Sequence, residues 1–372
     1  MYNASYWEKS TWLNNIDFVI VGAGIVGINC AINLKARYPK ARVVVLERGV
    51  LPSGASTKNA GFACFGSLSE IIDDLKTHTE EEVLALVQKR VNGLVLLRKT
   101  LSDKTIEYRE TGGYEIFLKE NKAHFEHCLS RKEEVNRLLN PIFNKEVFQT
   151  TSNPHGFKGI VEHGFFNPME GMINTGKMMQ ALYKLAVSKD ILFFHQEQVL
   201  HYEEESNAVT ITTTNFSLKA TKLFVATNGF ASQLLQEEVK PARAQVLITK
   251  PIKNLKIKGT FHLDKGYYYF RNVDNRILLG GGRNLDFKAE ETTYFGITPI
   301  VQYKLENLLQ DVILPGQKVE IDYRWSGIMG VGSQKKAIVK QVSNHVYCGV
   351  RLGGMGIAIG TLIGKELADL LD

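Results

Sequence analysis

The chain has 372 residues, 44% of them hydrophobic, enough to bury a large core and long enough for two domains. Its 45 basic and 39 acidic residues leave a net charge of +6 without a basic block, so no nucleic-acid partner is expected. Cys30, Cys64, Cys128 and Cys348 form no C-x-x-C pair, and the nine histidines show neither H-x-x-x-H nor H-E-x-x-H spacing, so neither a disulfide framework nor a metal site is expected.

The leader, residues 1–15, is aromatic and polar and lacks a cationic region followed by an apolar core. It is expected to pack across the surface of a soluble, cytoplasmic protein. Residues 17–21 read as a short strand, followed at once by Gly22-Ala23-Gly24-Ile25-Val26-Gly27, the G-x-G-x-x-G pattern. Ile28, Ala31, Ile32 and Leu34 then give a helix one buried face. A second strand, 42–46, ends on Glu47, twenty positions after the last glycine (47 − 27 = 20).

Each part of this β-α-β unit suits a dinucleotide. Gly22 permits the tight turn, Gly24 the close approach of a pyrophosphate, and Gly27 the packing of helix on sheet. The helix N-terminus offers free N–H groups and the positive end of its dipole. Glu47 can accept from ribose hydroxyls and repels a 2′-phosphate. The unit by itself does not separate FAD from NAD.

The next stretch does. Arg48 and Ser53-Gly54-Ala55-Ser56-Thr57-Lys58-Asn59-Ala60-Gly61 follow the acid. This resembles the D-amino-acid-oxidase-like family of FAD-dependent amine and amino-acid oxidoreductases, with Lys58 where Arg is common. The resemblance implies non-covalent FAD, its diphosphate and ribityl chain wrapped by Ser and small residues. The implied contacts here are Gly22, Gly24, Ile25, Val26, Gly27, Glu47, Arg48, Ser53, Ala55, Ser56, Thr57, Asn59, Ala60 and Gly61.

Residues 80–101 read as an amphipathic helix with a capping box, Thr79 and Glu82. Residues 111–118 read as a turn into a strand, and 122–139 as a charged helix that stops before Pro141. This block departs from strand–helix alternation and reads as the start of an inserted second domain. Then come a strand over 157–166, a helix over 174–186 and a strand-like run over 191–199, where the resemblance assigns Val199 a backbone contact to adenine. Residues 210–218 read as a hairpin strand. Residues 222–229 read as a buried strand ending in Ala226-Thr227-Asn228-Gly229 beside the cofactor, with a helix from Ser232.

From Lys240 the pattern becomes antiparallel β, with Ala244 where the family has Gly. Residues 267–271 and 276–282 flank a polar turn over 272–275 and read as a hairpin. Strand alternation puts Tyr267 and Tyr269 on one side and Tyr268 on the other. Trp325-Ser326-Gly327-Ile328 and the glycine-rich 346–357 resemble the family's closing segments. They imply cofactor contacts from Gly327, Ile328, Arg351, Gly353, Gly354, Met355, Gly356 and Ile357, and a last helix over 358–371 whose N-terminus faces the flavin pyrimidine. The uncharged run 352–363 is too short to span a bilayer of roughly 30 Å, which needs about twenty residues.

The implied architecture is α/β: a Rossmann-like FAD-binding domain (1–78, 155–239 and 327–372) with a second α+β substrate domain (79–154 and 240–326) built on an antiparallel sheet. The implied activity is oxidation of the C–N bond of a small amine or amino acid by hydride transfer to flavin N5, giving an imine that hydrolyses, with oxygen or an electron carrier as acceptor. Family members that oxidise amino acids often carry a carboxylate-binding Arg where this chain has Met329 or Gly354. Arg271 and Arg351 are candidate replacements, and Tyr267, Tyr269, Arg271 and Arg351 are the expected orienting groups. Alternatives are an FAD-dependent 2-hydroxyacid dehydrogenase, needing a His base near the flavin, and a non-catalytic flavin-binding protein. No Gly-x-Ser-x-Gly elbow supports hydrolysis. No oligomeric state is legible.

Overall fold

A computed structural model describes residues 3–153 and 155–371. Two eight-stranded sheets organise it. In the first, Val346–Val350, Ser217–Val225, Ile16–Val21, Val43–Glu47 and Leu192–His195 lie side by side and parallel. Ile338–Gln341 and the hairpin Val199–Glu204/Val209–Thr213 add antiparallel partners at its margins. The inner strands are buried on both faces, so they read as continuous Val/Ile/Leu runs without alternation.

One face is covered by Ile25–Arg37 and Gly356–Asp369, which cross closely: a Cβ on Gly364 would sit 2.6 Å from the Val26 carbonyl oxygen. Glu80–Leu101 presses on Gly356–Asp369 through Gly93 in the same way.

The second sheet runs in the order Ile321–Val331, Lys240–Thr249, Arg276–Gly281, Tyr268–Val273, Thr260–Leu263, Gly113–Glu115, His163–Asn167, Gln149–Ser152. All its pairs are antiparallel except Thr260–Leu263 with Gly113–Glu115. One face buries Phe261, Phe270, Leu247 and Leu279 beneath Pro299–Asn307. Phe261 and Phe270 stack at 4.5 Å. The opposite face packs Val246, Ile248, Leu278 and Tyr269 against Ala60 and Phe62.

The expected capping box at Thr79 and Glu82 is present, and Glu80–Leu101 has the expected bounds. Other elements differ. The helix Lys122–Phe143 runs through Pro141 rather than stopping before it. In the last turn a proline forfeits one backbone bond, and the helix ends where Asn144 takes a left-handed φ of 50° with its N–H on the Asn140 carbonyl.

Only His163–Asn167 of 157–166 is strand, since Gly156 and Gly159 both hold positive φ. The run 191–199 breaks at Gln196, φ 60°, into Leu192–His195 and a new strand starting at Val199. The hairpin of 210–218 turns over 214–216, so Ser217 already belongs to the buried strand. No α-helix starts at Ser232: a 3-10 turn, Asn228–Gln233, is all that forms in a segment too short to sustain one.

The tyrosine hairpin turns over two residues, Asp274 and Asn275, not four. The last helix begins at Gly356, two residues early. His163–Asn167 pairs in the second sheet although the expected boundary at 155 assigns it to the first domain. The leader forms the helix Tyr6–Thr11, but Tyr6 and Trp7 stay 73% exposed, so these two rings are not packed down as expected. All four cysteines are buried and free. Among the described residues no helix is long and apolar enough to cross a membrane, and no group of three or more metal-ligating side chains occurs.

Candidate active site

The first glycine turn is as tight as its sequence suggests. Gly22 has φ 104°, and Gly27 lies so close beneath it that a Cβ there would stand 1.9 Å from the Gly22 carbonyl oxygen. Gly24 caps the helix Ile25–Arg37 without a side chain, and the Ile25 N–H donates to Ser56 Oγ at 2.9 Å. Glu47 is buried and organises the following loop, accepting from the N–H of Ala23 (3.1 Å) and Gly49 (2.9 Å) and from Ser53 Oγ (3.1 Å). Asn59 pins the next bend: Nδ2 donates to the carbonyls of Ala55 and Ser56, and Oδ1 accepts from Gly61 N–H. Thr57 Oγ1 donates to the Pro52 carbonyl.

These elements enclose a first cavity of about 1190 Å³, open mouth included. Gly22, Gly24, Ile25, Val26, Glu47 and Arg48 line its start, and Ser53, Ala55, Ser56 and Asn59 its floor. Val199, Ala226, Thr227, Asn228 and Ile328 form one side, and Gly353, Gly354, Gly356 and Ile357 close the far end. Residues not anticipated also line it, chiefly Glu197, Gln198 and Phe230. Arg48 stacks its guanidinium on Phe230 at 3.7 Å, and burial lowers its pKa. No local sequence pattern marks Phe230, which a turn after the Ala-Thr-Asn-Gly segment delivers.

A second cavity, about 1370 Å³, opens beyond the first and shares Ala55, Asn59, Met329, Gly354 and Ile357 with it. Ala60, Gly61, Gly327 and Met355 line this one instead of the first. Tyr267 and Tyr269 line it as well, while Tyr268 is buried in the core on the other face. Burial raises the Tyr269 phenol to about 12, so it is a neutral hydrogen-bonding group.

Several candidates lie elsewhere. Gly27 and Gly229 line neither cavity and serve close packing, Gly229 against the Met329 carbonyl. Thr57 faces a third cleft. Arg351 follows its strand with φ 64° and turns away, donating to the Lys336 carbonyl and to Glu238. Arg271 shares a strand face with Tyr269, but the Asn59–Gly61 segment intervenes, and its Nη1 donates to the Gly61 carbonyl at 3.0 Å. Neither arginine lines the second cavity, so the orienting role expected of them is not supported by their placement.

The first cavity fits a dinucleotide on three counts. Thr227 Oγ1 and Glu197 Oε2 are buried on its wall without any partner. A Cβ built on Gly353 or Gly354 would meet nothing within 4 Å, so the backbone there faces open space. The start of a 13-residue helix points its N–H groups into it.

The family model for FAD-dependent oxidoreductases, DAO, matches residues 17–370. The chain belongs to this family. A probable oxidoreductase, OrdL, of Haemophilus influenzae is 21% identical over 97% of this chain and 84% of its own length. The glycine oxidase of Geobacillus kaustophilus is 23% identical over 84% of this chain and 80% of its own. The solved structure of glycine oxidase from Bacillus cereus superposes with a TM-score of 0.76 at 17% identity, covering 96% of this chain and 97% of that one. The α/β architecture with its two sheets is thus that of the DAO fold, and FAD is the non-covalent cofactor.

Within this DAO-family frame, the second cavity carries charge that the sequence did not announce. His262 Nε2 lies 2.8 Å from Glu170 Oε2, both residues buried. Burial pulls the imidazole pKa down, but the carboxylates of Glu170, Glu70 and Glu115 outweigh it and raise it to about 9. His262 is therefore an imidazolium at neutral pH. Nearby Glu115 is raised by burial, against hydrogen bonds from Ser69 and Ser67.

Lys58, Lys265, Arg283 and Lys335 also line this cavity. Lys265 pairs with Asp73 at 3.2 Å and Lys335 with Asp74. Arg283 lies by the rings of Tyr267 (5.8 Å) and Phe287 (5.1 Å), and neither it nor Lys58 has a carboxylate partner among the described residues. The one sequence signal for His262 is the alternation Phe261-His262-Leu263, which turns it away from the core.

Proposed function

We propose that this oxidoreductase acts on the C–N bond of a small amine that carries a carboxylate, giving an imine that hydrolyses. The observation that carries this reading is the second cavity: it adjoins the first, is walled by Phe62, Tyr267 and Tyr269, and holds the unpaired guanidinium of Arg283. We propose the parallel-sheet part as the FAD-binding domain and the antiparallel-sheet part as the substrate domain.

FAD would be held by the N-terminus of Ile25–Arg37, Glu47, Ser56, Thr227, Gly353, Gly354 and Gly356, and when bound it supplies the two-electron acceptor for the hydride. This chain's own residues do the rest. Arg283 receives the carboxylate, its planar fork suited to a bidentate contact. Tyr267, Tyr269 and Phe62 exclude water and orient the amine. His262 is matched by Glu170 and Glu70 also lines the cavity, so the positive potential that favours an anionic substrate comes from Arg283 and Lys58.

The test is to add amines, amino acids and hydroxyacids anaerobically to the purified flavoprotein and follow its visible spectrum. Bleaching by an amino acid or another carboxylated amine is the expected result. Bleaching by hydroxyacids alone overturns the proposal. Replacing Arg283 with Gln should raise KM for the carboxylated substrate about tenfold to a hundredfold, the equivalent of one charge-assisted hydrogen bond of about 1.5–3 kcal/mol. An unchanged KM would remove Arg283 from the site.

A further inference from the structure

A third cleft lies on the opposite side of the Asn59–Gly61 segment from the second cavity, and the proposed reaction leaves it unused. Its volume is about 770 Å³. Arg109 and Arg271 both line it, and neither has an ion-pair partner among the described residues. Arg271 is 6% exposed, and its Nε is buried without any hydrogen-bond partner. Its one bond, to the Gly61 carbonyl, is a poor counterpart for a buried guanidinium.

The helix Thr175–Val187 starts at the same place. Thr175 and Gly176 line the cleft, and the first N–H groups of a helix have no partner within it. Two kinds of donor thus converge. Opposing charge is sparse: Glu107 is taken up by Lys177 and by Asn174 Nδ2, which leaves Asp274 at the rim. Burial first and the proximity of Arg109 second lower the Arg271 pKa to about 10, against the opposing pull of Asp274.

We propose that this cleft is a binding site for one small carboxylate, separate from the active site, held between Arg109, Arg271 and the N-terminus of the helix Thr175–Val187. The two uncompensated guanidiniums balance one negative charge beyond that of Asp274, so a monoanion fits and a phosphate dianion does not. The site also touches the chemistry next door. Asn59 Oδ1 accepts from Thr175 Oγ1, and Arg271 holds the Gly61 carbonyl, so an occupant would stiffen the segment that walls all three spaces.

The test uses the FAD-loaded protein and carbon-13-labelled acetate, whose NMR relaxation reports binding. Two saturable components are expected: one in the second cavity, lost in Arg283→Gln, and one weakened at least fivefold in Arg109→Gln and in Arg271→Lys and kept in Arg283→Gln. Arg109 is exposed, so its variant is informative even if the Arg271 variant loosens the fold. Loss of all acetate binding in Arg283→Gln with none in Arg109→Gln would place the acetate in the second cavity alone and overturn the proposal. Inorganic sulfate, a dianion at neutral pH, should fail to displace acetate at equal concentration, and displacement would overturn the monoanion assignment.

Discussion

Gly27→Ala should yield protein that binds no FAD after gel filtration and unfolds at a clearly lower urea concentration. The added Cβ would lie 1.9 Å from the Gly22 carbonyl oxygen and 3.1 Å from Ile20 Cγ2. The first of these is backbone in a fixed turn and cannot swing aside, so the helix Ile25–Arg37 must lift from the sheet. That lift breaks the close crossing with Gly356–Asp369 and displaces the N–H groups that face the first cavity. Overpacking of this kind costs about 1–3 kcal/mol before any loss of cofactor is counted, and loss of FAD removes its mass-action stabilisation as well. A useful contrast is Gly176→Ala, where the nearest atom is 3.5 Å away in a helix, and stability should hold or rise by about 0.4–1 kcal/mol. Full flavin content and an unshifted urea midpoint in Gly27→Ala would sink the expectation.

Glu170→Gln carries the second large effect. It leaves His262 buried and without its counter-charge, and breaking such a pair costs about 3–5 kcal/mol. The pH dependence gives the diagnosis. The folded imidazole has its pKa raised to about 9 from an unfolded value near 6.5. Its contribution to stability is therefore complete below about pH 6.5 and is lost as pH rises through 9. The original chain should lose urea stability between pH 7 and 10, and Glu170→Gln should be flatter over that window. Parallel slopes for the two would mean that His262 is not held charged by Glu170.

What could be read from the sequence was what is encoded locally. The β-α-β unit is contiguous, so Gly22, Gly24, Gly27 and Glu47 declare themselves by spacing, and the Thr79–Glu82 cap marks a helix end by its own side chains. The second cavity is different, because its walls come from 55–70, 244–283 and 327–357, segments far apart in the chain that only the tertiary fold brings together. Alternation correctly put Tyr267 and Tyr269 on one face. By the same rule Arg271 belongs with them, but alternation fixes a face and not a distance along it, and Gly61 comes between. Arg351 departs from its expected place because its φ of 64° reverses the direction its strand would give it. His262 has no local signal beyond strand alternation because its partner, Glu170, stands 92 positions away. At Pro141 and Ser232 tertiary context and segment length overrode local propensity.

Ala55, Asn59, Met329, Gly354 and Ile357 form a party wall between the two cavities. Such a wall divides the molecule's freedom to vary unequally. A substitution there that suits a new substrate also alters the seat of the cofactor, so gains on one side are taxed on the other. The opposite wall, with Tyr267, Tyr269, His262 and Arg283, borders the second cavity alone. A library confined to Tyr267, Tyr269 and Arg283 should change substrate preference while flavin content stays constant, whereas one drawn from the party wall should return mostly apoprotein.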